Sequence, residues 1–168
     1  MDEKEVRRVV EDYSDMILRI SYNYLQHTYD AEDICQTVFM KYLTGNYKFE
    51  SQAHEKAWII RTTINACHDL RKTAFFRKTV SLDDAAEAVA PEMPSSDLMD
   101  EIKKLPVNYR ISIYLHYYEG YSVKEIAAMM NKKESAVAKY LSRGKQQLKK
   151  SLTRDNDEYY KAGEFYNV

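Results

Sequence analysis

The sequence has 168 residues and a formal net charge of −1. This length fits one medium domain or two small ones, and four glycines and three prolines are too few for a turn-rich β-sandwich or a disordered chain. Its apolar runs are shorter than a membrane span, and its start lacks the apolar core of a signal peptide, so we expect a cytoplasmic protein. Two cysteines cannot form a disulfide framework.

The near-zero net charge is an average over segments of opposite sign. Residues 51–79 carry a net charge of +4 and residues 102–150 a net charge of +8. Acidic segments cancel these charges, with −4 over 1–50, −7 over 80–101 and −2 over 151–168. Two basic blocks separated by an acidic strip are typical of a protein that contacts a polyanion at two places. Ordinary solvated helix faces with an acidic loop would give the same pattern.

The first fifty residues contain two predicted helices. Apolar residues from Val6 to Tyr24 alternate at spacings of four and three, which predicts an amphipathic helix of about 20 residues. Asp30 is placed to cap a second helix, which Gly45 and Asn46 end. A strip on this second helix combines an acid and an amide with apolar groups, and it is either a protein-binding face or part of the core. The strip consists of Glu32, Gln36, Phe39 and Leu43, with Asp33 beside it.

A third helix is predicted to begin near Glu55 and to become basic toward its end. Its inward side contains Ala57, Trp58, Ile60, Ile64 and Cys67. Its polar side contains Arg61, Asn65, His68, Arg71 and Lys72. Cations near aromatic rings suit unpaired nucleic acid, because rings stack on bases. The nearby rings of Phe49, Phe75 and Phe76 are equally typical of a core.

Residues 79–97 lack basic side chains and contain two of the three prolines, so we predict a linker there. The linker separates a domain of residues 1–78 from a second domain of residues 98–152, and residues 153–168 form an acidic tail without an assigned role. In the second domain, an apolar stripe of Ile111, Tyr114, Leu115 and Tyr118 predicts a buried helix face.

The most specific local pattern predicts a helix-turn-helix. Ser122 and Glu125 form a capping box that opens a short helix, and Asn131 can end that helix in the left-handed conformation. A longer basic helix follows from about Glu134 to Leu152. Its buried side contains Val137, Leu141, Leu148 and Leu152, and Lys139, Arg143, Gln146 and Lys150 share the opposite face. Such a face suits the major groove of DNA, although a solvated Lys-rich helix has the same composition.

Catalytic and metal-binding patterns are missing from the sequence. The histidines and cysteines lack the spacing of a zinc site, and there is no glycine-rich phosphate loop. Cys35 has no base assigned to it. We therefore expect a protein that is not an enzyme and that has no catalytic residues, metal, cofactor or small-molecule substrate.

Three stretches in this order resemble an extracytoplasmic-function (ECF) sigma factor of the sigma-70 family, the subunit that directs bacterial RNA polymerase to promoters. They are DAEDICQTVF at 30–39, AWIIRTTINACHDLRK at 57–72 and the helix-turn-helix segment at 105–152. The resemblance implies an all-α fold of two small helical domains joined by an acidic linker, a region 2-like domain at 1–78 and a region 4-like helix-turn-helix domain at 98–152. Two positions depart from the family pattern, since Tyr140 replaces a frequent basic residue and Gly144 a small alanine.

The resemblance also implies partners and the residues that contact them. The polymerase core, through its β′ clamp helices, would contact Glu32, Asp33, Gln36 and Phe39. Minus-ten promoter DNA, including a base flipped into the loop of residues 48–54, would contact Lys48, Phe49, Ser51, His54, Arg61, Asn65, Arg71 and Lys72. Minus-35 DNA would contact Ser135, Ala136, Lys139, Tyr140, Arg143 and Lys145. The polymerase β flap and an anti-sigma factor are the other partners that the resemblance implies.

Two alternatives remain at this point. A stand-alone helix-turn-helix transcriptional regulator would explain the second basic block but not the first domain or the acidic strip. A helical protein-interaction adaptor without DNA binding would leave the basic faces with a solubilising role only.

Overall fold

The structure is a computed structural model that describes the backbone of residues 1–78 and 97–164 and the side chains of residues 1–75 and 98–154. All regular secondary structure in these residues is helical, which confirms the predicted all-α fold. The predicted linker, apart from the backbone of Asp97, lies outside the described residues, as do the side chains of Phe76 and of residues 155–168. The chain divides into two compact units, the first with α1 to α3 and the second with α4, α5, α7 and most of α6.

The first unit is a three-helix assembly of α1 (Glu3–Leu25), α2 (Thr28–Thr44) and α3 (Gln52–Lys78). The carboxylate of Asp2 caps α1 by accepting a hydrogen bond from the Glu5 backbone N–H at 2.8 Å. Helix α1 packs against both α2 and α3, and α2 packs against α3. The fully buried side chains of this core include Val9, Ile17, Ile20, Val38, Ile59, Ile60, Thr63 and Cys67.

Both predicted helix starts in this unit differ from the observed ones. Helix α2 is capped by His27, whose Nδ1 accepts the Asp30 backbone N–H at 3.3 Å, so Asp30 lies inside the first turn rather than at the cap. Helix α3 begins at Gln52, before the predicted start, because the Ser51 hydroxyl accepts the His54 backbone N–H at 3.1 Å. The earlier start places Glu55 within the first turn of α3, where its side chain is buried.

The Glu55 carboxylate joins the three helices of the first unit. It accepts two hydrogen bonds from the Arg8 guanidinium of α1, at 3.1 and 2.9 Å. The hydroxyls of Tyr13 in α1 and Tyr42 in α2 also donate to it. Burial by itself raises the pKa of the Glu55 carboxyl, but the hydrogen bonds from Arg8, Tyr42 and Tyr13 outweigh burial and hold the pKa at about 2. The buried group is therefore ionised at neutral pH.

The second unit contains α4 (Asp97–Lys104), α5 (Val107–Ile113), a π-helical turn (Tyr114–Tyr118), α6 (Val123–Met130) and α7 (Glu134–Glu164). Helices α4 and α5 both pack against α7, and the core includes Leu105, Ile111, Leu115, Ile126 and Val137. Helix α7 extends beyond the predicted end at Leu152. Leu148 and Leu152, predicted on its buried side, are only half-buried.

The turns around α6 follow the sequence prediction. The Ser122 backbone N–H donates to the Glu125 carboxylate at 2.8 Å, and the Glu125 N–H donates to the Ser122 hydroxyl at 3.2 Å, which confirms the capping box. Asn131 has a φ of 53°, as predicted for the end of α6. Gly120 before the box has a φ of 79°, a conformation that glycine adopts without steric cost.

The prediction of a buried stripe from Ile111 to Tyr118 is wrong in part. Ile111 and Leu115 are fully buried, but Tyr114 is half-buried and Tyr118 is 60% exposed. The reason is the π-helical turn, whose wider i→i+5 hydrogen bonding rotates later side chains away from an α-helical stripe. The Tyr118 ring instead stacks on Tyr114, with ring centroids 5.1 Å apart.

Burial controls the ionisation of the two cysteine thiols. Burial raises the pKa of the Cys35 thiol to about 11 and that of Cys67 to about 12, so both thiols are protonated at neutral pH. Within the described residues, no helix is both long and apolar enough to cross a membrane, and no group of His, Cys, Asp or Glu is arranged to hold a metal ion.

The Glu55 interaction predicts a specific pH dependence. The pKa of about 2 lies below the ordinary 4.5, so the carboxylate stabilises the first unit fully above pH 4.5 and loses this contribution as the pH falls toward 2. Glu55→Gln should lower the free energy of unfolding at pH 7 by about 2 kcal/mol, the range for a hydrogen bond to a charged group. The difference between the two proteins should shrink between pH 4.5 and pH 2.

Urea unfolding followed through Trp58 measures this difference, because Trp58 is the single tryptophan and lies in the first unit. Equal pH slopes for the wild type and Glu55→Gln would contradict the assignment of the shifted pKa to this carboxyl.

Gly144 offers a test of packing between α5 and α7. Alanine is favoured over glycine inside a helix by about 1 kcal/mol, but a Cβ at position 144 would lie 2.8 Å from Cδ1 of Ile113. Gly144→Ala alone should therefore change local stability little. In the Ile113→Val background, where that methyl is absent, the same change should stabilise α7 by about 1 kcal/mol.

Native-state hydrogen exchange of the α7 amides measures both effects locally. The same gain in both backgrounds would show that Ile113 does not restrict position 144.

Candidate nucleic-acid and protein interface

Helix α2 presents the predicted polar–apolar strip to solvent. Glu32, Asp33 and Gln36 are exposed, and Phe39 is half-buried. Beyond the predicted set, Met40 is 58% exposed, and it extends the apolar part of the face together with Leu43, which is 40% exposed. The opposite face of α2 contains the buried residues Ala31, Ile34, Val38 and Tyr42. The helix therefore has a core face and a separate exposed face that combines acid, amide and apolar groups.

One face of α3 carries a continuous stripe at spacings of four and three residues, which places its members above one another on a helix. We call this the α3 stripe, and it consists of His54, Trp58, Arg61, Asn65, His68 and Lys72. Trp58 is half-buried and the other members are exposed. The prediction that Trp58 and Ala57 point into the core is wrong in part, since both are only half-buried.

Arg71 lies away from the α3 stripe. Its guanidinium carbon is 5.9 Å from the centroid of the Tyr24 ring of α1. This contact anchors the end of α3 to α1 and is a cation–π interaction by its geometry. Phe75, a predicted stacking residue, is 69% exposed near the end of α3.

The segment before α3 is built on aromatic rings, and we call residues 45–51 the aromatic loop. Phe49 lies at its centre, with ring centroids 5.8 Å from Tyr42, 6.1 Å from Tyr47 and 5.7 Å from Trp58. The ring of Tyr47 is 46% exposed and lies 4.3 Å from that of Trp58. Phe49 is thus largely committed to packing, and Tyr47 is the ring of this cluster that is accessible for stacking.

Specific contacts fix both ends of the aromatic loop. A Cβ at Gly45 would lie 1.9 Å from the Tyr47 ring, so a larger residue would displace that ring. At the other end, Ser51 caps α3, and His54 Nδ1 accepts the Glu50 backbone N–H at 3.4 Å. These two hydrogen bonds give Ser51 and His54 a structural role in addition to any contact with DNA. Lys48 is exposed on the same loop.

A cavity of about 460 Å³ opens beside the aromatic loop. Its lining combines aromatic rings with the buried ion pair, and consists of Met1, Glu5, Arg8, Tyr42, Gly45, Tyr47, Phe49, Ser51, Gln52 and Glu55. A planar heterocycle of one base fits such a volume and such walls. Most of these residues were not predicted as site residues. The sequence signal that could have identified this cavity was Glu55, an acidic residue one helical turn before Ile59 on the buried face of α3.

The predicted face of α7 is formed in the second unit. Ser135, Lys139 and Arg143 are exposed and recur every four residues, so they lie on one side of the helix. The opposite side contains Val137 and Leu141, both buried. Ala136 beside the face is half-buried.

Tyr140 and Lys145 flank this face and have contacts of their own. The Tyr140 ring lies 5.6 Å from that of Tyr109, and its hydroxyl oxygen accepts a bond from the Asn108 amide at 3.5 Å. The Lys145 ammonium lies 5.5 Å from the centroid of the Tyr117 ring. Both side chains are therefore engaged within the second unit.

Family models match both units. Residues 9–75 match sigma-70 region 2, and residues 95–148 match sigma-70 region 4. The ECF RNA polymerase sigma factor SigE of Mycolicibacterium smegmatis is 26% identical over 161 residues, which are 89% of this chain and 62% of that protein. This chain thus spans less than two thirds of that relative. SigW of Bacillus subtilis, also an ECF RNA polymerase sigma factor, is 26% identical over 169 residues, which are 90% of each protein.

Two solved structures share the fold of this chain. The sigma factor RpoE in complex with the anti-sigma factor NepR, from Bartonella quintana, matches with a TM-score of 0.74 at 19% identity, covering 89% of this chain and 98% of that one. CnrH in complex with the cytosolic domain of CnrY matches with a TM-score of 0.63 at 18% identity, covering 92% and 91%. The two region matches, in the order that the sequence predicted, establish that this chain belongs to the sigma-70 family of RNA polymerase sigma factors, and the relatives SigE and SigW assign it to the ECF group of that family.

Proposed function

We propose that this chain directs RNA polymerase core to specific promoters and assists the opening of the minus-ten element. Residues 1–78 bind core and minus-ten DNA, residues 98–152 bind minus-35 DNA, and residues 79–97 link the two. Residues 153–168 receive no role. The α2 face, with Glu32, Asp33, Gln36 and Phe39, contacts the β′ clamp helices of the polymerase.

The observation that carries the proposal is the junction of the α3 stripe with the aromatic loop. Trp58 joins the two, since it is a member of the stripe with Arg61 and Asn65 and its ring centroid lies 4.3 Å from that of Tyr47 in the loop. Opening a promoter requires bases to leave the stack, which costs a few kcal/mol per base. Exposed aromatic rings next to a cationic stripe can recover that cost through stacking and phosphate contacts. Such a site favours melted DNA over duplex.

The minus-ten residues of this proposal act in different ways. Arg61, Asn65 and Lys72 contact the strand through the α3 stripe. Lys48 attracts the backbone from the aromatic loop, and Phe49 supports the stacking rings. Ser51 and His54 contact DNA from the capped end of the loop, and Arg71 holds a phosphate close to its position over Tyr24.

The minus-35 residues lie on or beside the exposed face of α7. Ser135, Ala136 and Lys139 near its amino end reach base edges, and Arg143 contacts phosphate. Tyr140 and Lys145 support these contacts from the two flanks, where Tyr109 and Tyr117 hold their side chains.

Further partners follow from the proposal. The β flap of the polymerase binds the second unit. An anti-sigma factor is supported by the two solved relatives, each of which was determined with a bound partner: an anti-sigma factor for RpoE and a cytosolic domain for CnrH. The chain works in the cytoplasm, where polymerase and chromosome meet, and it needs no cofactor or small-molecule substrate because the polymerase performs nucleotide addition.

Transcription by purified core polymerase tests the function directly. Genomic DNA is transcribed with and without this protein, and the 5′ ends of the transcripts are mapped. We expect new start sites that share minus-ten and minus-35 elements. A protein that binds these sites without core would be a stand-alone regulator, and a protein that binds neither core nor DNA would be an adaptor. Either result would reject the proposal.

Asp33→Ala should weaken core binding by roughly tenfold, the factor for about 1.4 kcal/mol at one central contact. Gln36→Ala should act in the same direction. Affinity for core is measured by competition with the wild-type chain. Glu11→Ala, which removes an exposed carboxylate from α1, is the matched control and should leave it unchanged. Equal loss in the control would show that only net charge matters.

Lys139→Ala should reduce the affinity of the holoenzyme for promoter DNA by roughly fivefold, or about 1 kcal/mol, and should leave core binding unchanged. Lys4→Ala removes an exposed cation from α1 and controls for net charge. Promoter binding is measured by filter retention at fixed salt. An unchanged promoter affinity in Lys139→Ala would remove this residue from the minus-35 contact set.

A further inference from the structure

The Glu55 carboxylate is fully occupied by donors from its own unit. Its Oε1 accepts bonds from Arg8 and Tyr42, and its Oε2 accepts bonds from Arg8 and Tyr13. A carboxylate has about four lone-pair sites, so these four bonds leave no acceptor for a ligand in the neighbouring cavity. The Glu55 side chain is also only 7% exposed. Glu55 therefore lines the cavity without being available to bind what enters it.

Of these donors, Tyr42 is the one whose ring packs against the aromatic loop. The Tyr42 hydroxyl is held by Glu55, while the face of its ring stacks on Phe49 at an interplanar angle of 14°. The same ring meets Trp58 edge-on at 5.9 Å. Tyr13 donates to the other carboxylate oxygen, and among the described residues the ring contacts with Phe49 and Trp58 involve Tyr42 rather than Tyr13. Tyr42 therefore links the Glu55 carboxylate to the rings of the aromatic loop.

The Glu55 network contributes more than stability. Apolar side chains of the same volume often replace a buried ion pair without loss of stability, so stability alone does not require a carboxylate here. A saturated polar network also fixes a geometry, because every bond has a preferred length and direction. The arrangement at Glu55 thus imposes a position on Tyr42 in addition to the energy that it contributes.

We propose that Glu55 is a positioning residue that, through the Tyr42 hydroxyl, holds the aromatic loop in the shape that accepts an unpaired minus-ten base. The promoter role that this proposal gives to the aromatic loop rests on the proposed function. The Arg8 guanidinium connects this arrangement to α1, because it donates to both carboxylate oxygens of Glu55. It also donates to the Asp12 carboxylate of the same helix at 3.3 Å. Helix α1 therefore sets the geometry of a loop that is distant from it in sequence.

Two matched variants separate positioning from stability. Tyr42→Phe and Tyr13→Phe each remove one hydroxyl that donates to the same carboxylate, and both leave the Arg8 bonds in place. Only Tyr42→Phe breaks the connection to the loop. Circular dichroism and thermal unfolding of the full chain show whether both variants fold and whether their stabilities are similar.

The first readout is acrylamide quenching of the single tryptophan, Trp58, in the full chain. We expect quenching to increase in Tyr42→Phe and to match the wild type in Tyr13→Phe. Gly45→Ala, in which a Cβ would displace the Tyr47 ring, provides a reference for a disturbed loop. Equal quenching in the two phenylalanine variants would overturn the proposal, and this result does not depend on any promoter activity.

The second readout is promoter opening by the reconstituted holoenzyme, followed by permanganate reactivity of minus-ten thymines. Tyr42→Phe should reduce opening by roughly three- to tenfold, the factor for one hydrogen bond, and Tyr13→Phe should not. Core binding should stay unchanged in both. Equal losses in the two variants would show a structural role only. If the wild-type holoenzyme opens no promoter, the proposed function fails, and the quenching comparison alone decides the positioning role.

Discussion

An ionised carboxylate can remain buried in the first unit because four hydrogen bonds surround it. Glu55 stands in the first turn of α3, yet its donors come from α1 and α2, so one group fixes the mutual position of three helices. The constraint is directional. Apolar contacts such as those of Ile17 and Ile60 tolerate small sliding between helices, whereas a saturated carboxylate does not. The aromatic loop adjoins this fixed point through Tyr42, whose hydroxyl donates to Glu55 and whose ring stacks on Phe49.

Helix α3 serves the core and the candidate interface with different faces. Ile59, Ile60 and Cys67 are buried on one side, and the α3 stripe occupies the other. Trp58 stands at the boundary, half-buried and in contact with the Tyr47 ring. A base that stacked in the cavity would therefore touch rings whose position depends on the packed core. Rigid support of this kind is what a site needs to distinguish an extruded base from a stacked one.

The parts of this structure that the sequence could predict rest on local signals. The capping box at Ser122, the left-handed Asn131 and the apolar spacing of α1 involve residues a few positions apart. The first two are found as predicted, and the third correctly predicts a helix, although Val10 of that spacing is 40% exposed. The Glu55 network was not predictable in the same way, because Arg8 is 47 positions away in the chain and its partner was expected at a loop boundary. The exposure of Tyr118 was missed because a π-helical turn has no periodic signature in the sequence. The roles of individual site residues, in contrast, come from the family resemblance rather than from spacing.

The charge distribution explains how such a chain can avoid holding DNA by itself. Protein–DNA affinity depends strongly on how many phosphates are neutralised together, because each releases counterions. Here the cations are divided between residues 51–79 and residues 102–150, with net charges of +4 and +8, and acidic segments bring the total to −1. Each block alone engages fewer phosphates than the two together, so weaker binding is expected until both engage one DNA molecule. Core polymerase that holds both units at once would supply that condition, which makes promoter recognition a property of the holoenzyme rather than of the separate chain.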